Sequence, residues 1–85
     1  MLLHIMAVRD RAADVYGTPT FHLSVGAASR AFSDEINRVD ANNVMHKHPD
    51  DFDLYVLGTY EDGLAKFDML EVPRMVLVGK DCVRA

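Results

Sequence analysis

Ser24-Val25-Gly26-Ala27-Ala28-Ser29-Arg30-Ala31-Phe32-Ser33-Asp34-Glu35-Ile36-Asn37-Arg38-Val39 is the stretch on which the fold turns. Val25, Ala28, Phe32, Ile36 and Val39 recur at three- and four-residue intervals and make one apolar stripe, with Ala31 beside it. Arg30, Ser33, Asp34, Asn37 and Arg38 fall on the other side. Ser24 is a good N-cap, because its hydroxyl can accept from a free amide of the first turn. Gly26 lowers helix propensity by about 1 kcal/mol against Ala, but it sits in the first turn, where this matters least. The spacing therefore predicts one amphipathic helix ending near Asp40, with Asn42-Asn43 as its exit.

Outward from this helix the period drops to two. Upstream, Leu3 to Val8 reads as a strand with apolar residues on both faces, central or well covered. Residues 10–18 read as a turn-rich connection, and Pro19 precedes a second strand, Thr20-Phe21-His22-Leu23. Downstream, a polar connection over residues 41–51 leads into Phe52-Asp53-Leu54-Tyr55-Val56-Leu57-Gly58-Thr59-Tyr60, rich in β formers. Glu61-Asp62-Gly63 is a hairpin turn signal, and Leu64 to Leu70 returns as a fourth strand that Pro73 breaks. The run Met75-Val76-Leu77-Val78 is either a fifth strand or a tail that another chain covers. The expected fold is α+β. An antiparallel sheet of four or five strands in the order β-β-α-β-β, with a possible final strand, carries the helix on one face. Residues 1–72 form the single domain, and 73–85 are a C-terminal strand or tail.

Eighty-five residues allow one domain. A chain this short often leans on disulfides, metals or a partner chain. One cysteine, Cys82, cannot make an internal bridge and fits a reducing compartment. Its neighbours Lys80, Asp81 and Arg84 do not form a recognisable nucleophile setting, so it is read as a bystander. No segment approaches the roughly 20 apolar residues of a membrane span. The apolar start, Met1 to Val8, lacks a basic leader and reads as strand rather than signal peptide. The protein is expected to stay where it is made.

Thirteen acidic against nine basic residues give a formal charge of −4, which opposes delocalised binding to nucleic acid while leaving room for a local basic patch. The acids cluster at 50–53 and 61–62, whereas Arg9, Arg11, Arg30 and Arg38 sit in the first half. Tyr16, Phe21, Tyr55, Tyr60 and Phe67 lie on or near strands, where aromatics can stack bases or can simply be core. Arg9, Arg11, Arg30, Arg38, Lys47 and Lys66 are the candidate contacts to nucleic acid or to a partner. His46 and His48 tempt as zinc ligands, but a zinc site wants three or four ligands from a defined scaffold. They read instead as parts of a loop whose His48-Pro49 step sets the entry of the next strand. The carboxylates lie in turn runs, the glycines form no phosphate loop, and no nucleophile–base set is legible. No catalytic residue, metal or cofactor is expected.

Certain words carry more. Ile5-Met6-Ala7-Val8-Arg9-Asp10 opens the chain, Arg30-Ala31-Phe32 and Asn37 sit in the helix, and Lys47-His48-Pro49-Asp50-Asp51-Phe52-Asp53-Leu54-Tyr55-Val56-Leu57-Gly58-Thr59-Tyr60 follows, with Glu61-Asp62 and Lys66-Phe67 after it. In this order the chain resembles the small nonstructural protein of gokushovirus-type microviruses, tailless phages with circular single-stranded DNA. The resemblance runs from about residue 4 to residue 70, and Val72 to Ala85 is read as particular to this chain. It implies a protein of the host bacterial cytoplasm, absent from the mature virion, that acts in viral DNA synthesis. Its implied partners are single-stranded viral DNA or the replication initiator complex. The family offers no catalytic or ligand residues to carry over. Arg30 and Lys47 are the matching residues that packing explains least, which makes them the first choices for a contact. A second class of function is a homo-oligomeric module, with a dimer expected, that binds a phage or host protein.

Overall fold

The structure is a computed structural model, described here for residues 1–84. Its elements run β1 (Leu2–Asp10), β2 (Val15–Tyr16), β3 (Thr20–His22), α1 (Val25–Asn37), α2 (Val44–Lys47), β4 (Phe52–Glu61) and β5 (Lys66–Val78). Two 3-10 turns, Pro49–Asp51 and Gly79–Cys82, lead into β4 and out of β5. All strand pairings are antiparallel. The order across the sheet is β2-β1-β4-β5, and β3 also pairs with β1. β2 and β3 are thus two pieces of one edge strand beside β1, and the sheet is four strands wide with α1 on one face. The fold is the α+β arrangement that the periodicities imply.

α1 begins where its cap dictates. Ser24 is extended, and its Oγ accepts from the Ala27 amide at 3.0 Å. Ala28, Phe32 and Ile36 are buried and press on Met6, Phe52, Leu54 and Val56 of the sheet. The stripe is one turn shorter than its spacing suggests. Val39 lies beyond the helix and is 84% exposed, and Ala31 is exposed too. The chain leaves the helix early because side chains from downstream satisfy its last carbonyls. Buried Asn43 donates through Nδ2 to the Glu35 and Arg38 carbonyls at 2.8 and 2.9 Å, and His46 Nδ1 reaches the Ile36 carbonyl at 3.0 Å. Free carbonyls at a helix end need such partners. The connection over 41–51 is therefore a structured clamp, with α2 and a 3-10 turn inside it.

The C-terminal stretch differs most from expectation. The boundary drawn at residue 72 falls inside β5, and Met75 to Val78 is the second half of that strand rather than a separate element. Pro73 interrupts the pairing without ending it. Between Val56↔Arg74 and Gly58↔Met69, β4 spends one residue and β5 four, so Leu70 to Pro73 bulge from the edge. Val76, Leu77 and Cys82 pack against the core. Asn37 fastens the end of the chain to α1: its Nδ2 donates to the Cys82 carbonyl at 2.9 Å, and its Oδ1 accepts from the Arg84 amide at 2.9 Å. Gly79 lets the chain pass under the helix, where a methyl group would stand 2.6 Å from the Phe52 carbonyl oxygen and 3.0 Å from Ile36.

Candidate functional site

The face of the sheet opposite α1 is built by register. Arg9 lies across from Tyr16 and Ile5 from Phe21 on the edge strand. Across β4, Ala7 faces Tyr55 and Leu3 faces Tyr60. Phe67, Met69 and Met75 of β5 pair with Tyr60, Gly58 and Tyr55. Directly opposite residues share a face, so these side chains form one aromatic and methionine layer. Tyr16 and Tyr55 meet edge-on above β1, with ring centroids 5.3 Å apart and planes at 79°. Phe21 and Tyr60 do the same at 5.8 Å and 77°, and Phe67 adjoins Tyr60 at 4.6 Å.

These rings reach over β1 and account for its burial. Ile5 and Ala7 are 3% and 2% exposed although no second layer of backbone covers them. The outer members remain open: Tyr16 44%, Phe21 48%, Phe67 57%, Met69 50% and Met75 50%. Gly58 lets β4 and β5 close up beneath them, because a methyl there would lie 2.5 Å from the Asp68 carbonyl oxygen.

One end of this face is charged and internally balanced. Arg9 pairs with Asp14 at 2.7 Å, and its guanidinium lies 5.9 Å from the Tyr16 ring centroid. The hydrogen bond to Asp14, then that to Tyr55, holds Arg9 still more firmly protonated. Arg11 pairs through Nε with Asp53 Oδ2 at 3.1 Å and also bonds the Asp50 carbonyl. Asp53 is buried, and its Oδ1 has no hydrogen-bond partner among the described residues.

The six basic residues singled out by sequence do not converge. Arg9 and Arg11 stand together at the charged end. Arg30 is exposed on the outer side of α1, beside a depression of about 550 Å³ lined also by Ser24, Ala27 and Asp34. Arg38, at the other end of the helix, is held by Glu35 at 2.6 Å and Asp40 at 3.0 Å. Lys47 is exposed at the end of α2, and Lys66 opens β5 at the tip of the β4–β5 hairpin. Arg30, Lys47 and Lys66 have no carboxylate partner among the described residues. His46 is committed to the helix end, and His48 caps α2 before Pro49. A smaller cleft of about 270 Å³ lies on the helix side of the sheet, with His4, Asp68 and Arg74 in its lining.

The aromatic layer was available in the sequence as residues but not as a surface. Tyr16 falls in a stretch that reads as a connection, and nothing in the spacing ties Met69 and Met75 to the rings. The signals that mark the layer are Gly17-Thr18-Pro19 and Leu57-Gly58, since a glycine or proline within a strand often marks a bulge.

Among the described residues no helix is long and apolar enough to cross a membrane. Neither the curated proteins nor the solved structures contain a match to this chain. The sequence model of one family, described as phage ORF5 protein, matches residues 3–82. That match passes well beyond residue 70, so the second half of β5 and the turn after it are part of the family pattern and not particular to this chain. With nearly its whole length matched, the chain belongs to the phage ORF5 protein family.

Proposed function

We propose that this phage protein is a non-catalytic accessory factor in synthesis of a single-stranded viral genome of the gokushovirus type. It acts in the host bacterial cytoplasm, is left out of the mature virion, and works by binding DNA or the replication initiator complex. The family match supports the phage origin, and the words from Lys47 to Tyr60 support the narrower assignment. The observation that carries the binding reading is the open aromatic face. Monomeric proteins seldom expose contiguous apolar patches beyond a few hundred Å², and larger ones mark interaction sites. Arg30 and Lys47, on the helical layer, are separate candidate contacts.

Titration of tyrosine fluorescence with a single-stranded oligonucleotide at several salt concentrations tests the DNA version. The expected result is saturable quenching that weakens as salt rises, because phosphate contacts release counterions. The double variant Arg30→Ala, Lys47→Ala should fold normally and bind more weakly. A flat response at low salt removes direct DNA binding and leaves the protein partner, to be tested by co-purification with the phage replication initiator. A second reading, self-association, is favoured by the balanced charge of the aromatic face.

A further inference from the structure

We propose that the occupant of the aromatic face is a second copy of this chain, the two sheets packing face to face; this rests on the reading above that the face is a binding surface. Extent and charge point the same way.

Four strands at about 4.8 Å spacing and about nine residues at about 3.3 Å give a footprint of roughly 570 Å². Stable interfaces bury about 800 Å² per partner, and weaker ones less. The face is therefore smaller than a standard interface and of the extent that weaker, transient pairs bury. Its exposed members are of two kinds. Tyr16 and Phe21 rise from one side, and Phe67, Met69 and Met75 from the other, each about half exposed. Between them Ile5 and Ala7 lie beneath the interlocked rings of Tyr16, Tyr55, Phe21 and Tyr60, so the half-exposed side chains stand at the two margins of one continuous apolar layer. A two-fold rotation sets the two apolar layers against each other at the roughly 10 Å separation of packed sheets. Methionine side chains adapt their shape to such a partner.

Charge selects among occupants. Arg9 is answered by Asp14, and Arg11 by Asp53, so this end of the face offers no surplus positive charge. A nucleic acid draws its affinity from cations that neutralise phosphates, whereas a second copy needs only the absence of like-charge repulsion. The rings are also interlocked edge to face, at 79° and 77°, rather than spread as free stacking platforms. Pairing through strand edges is hindered on both sides. Residues 17–19 split one edge into β2 and β3, and Leu70 to Pro73 bulge from the other. Irregular, proline-bearing edges resist strand addition, which leaves the face as the route of association.

Sedimentation of the full chain across the micromolar range tests this, with Phe67→Glu, Met69→Glu and, as a control away from the face, Val39→Glu alongside. Wild type and Val39→Glu should pass from one to two chain masses. The two face variants should stay monomeric to at least tenfold higher concentration, with unchanged far-ultraviolet circular dichroism. Should the face variants not fold, methyl resonances of wild-type protein decide: those of Met69 and Met75 should move with concentration while that of Met45, on the helix side, should not. A wild-type monomer throughout, with Met69 and Met75 fixed, overturns the second copy. If a single-stranded oligonucleotide then moves those same methyls, the face still binds and only its occupant was misassigned. If nothing moves them, the reading of the face as a binding surface falls as well. Dimerisation lost in Val39→Glu but kept in both face variants also overturns the proposal.

Discussion

Tyr55 and Tyr60 lie five residues apart on β4, yet both side chains stand on the face away from α1. In a regular strand an odd separation puts two residues on opposite faces. The reason is an extra residue near Leu57: Tyr55 pairs with Ala7 and Tyr60 with Leu3, so five steps on β4 match four on β1. The other neighbour of β1 repeats the device. Tyr16 pairs with Arg9 and Phe21 with Ile5, again five steps against four. Both strands flanking β1 thus slip by one residue, and together they bring four aromatics to a single surface.

Phe32→Ala should cost about 3–5 kcal/mol, since the ring is buried between α1 and the sheet and its loss leaves a cavity. That is a large part of the stability available to so small a domain. Urea denaturation followed by circular dichroism should show an early midpoint or no folded baseline. A shift below about 1 kcal/mol would mean the site collapses around the missing ring.

Gly79→Ala should cost about 3 kcal/mol, the upper part of the range for overpacking a site that cannot give way. The new methyl would press on the Pro49 and Phe52 carbonyls, both backbone, and on Ile36. The loss should appear in the same denaturation experiment. A crystal structure of the variant should show the Gly79–Cys82 turn displaced from α1.

Ala65→Gly should instead stabilise by about 1 kcal/mol. Ala65 holds φ at 52° in the β4–β5 turn. Left-handed backbone costs a residue with a Cβ about 1–2 kcal/mol, and glycine gives back part of that gain through its freer unfolded chain. The midpoint of urea unfolding should rise, with no change in the slope of the transition.

The ion pairs at the end of α1 predict a pH and salt signature. Glu35 is held below the usual carboxylate range, chiefly by its hydrogen bonds from Arg38. Asp40 is lowered first by the Asn42 amide and then by Arg38. A carboxyl depressed in the fold contributes stability above its unfolded pKa and loses it as pH falls through the folded value. Arg38→Gln should therefore be less stable than wild type at neutral pH, and the gap should close as pH drops below about 4.5. The pairs are largely exposed, so the gap should be small and shrink in high salt. A gap independent of both pH and salt would assign the effect of Arg38 to packing.

Taken alone, the sequence determined α1, the runs that become β1, β3 and β4, the first half of β5, and a helix packed on one face of an antiparallel sheet. The Ser24 cap and the spacing of Ala28, Phe32 and Ile36 are local chemistry, and so are the β-rich runs that become β1 and β4. Local pattern cannot count residues across a strand pair. The slips beside β1, the four-residue bulge at Leu70 to Pro73 and the return of the chain under α1 through Gly79 and Asn37 are pairings between distant segments, and only the tertiary structure decided them. Those pairings made one surface of Tyr16, Phe21, Tyr55, Tyr60 and Phe67, and dispersed six basic residues whose positions in the sequence had suggested a common role.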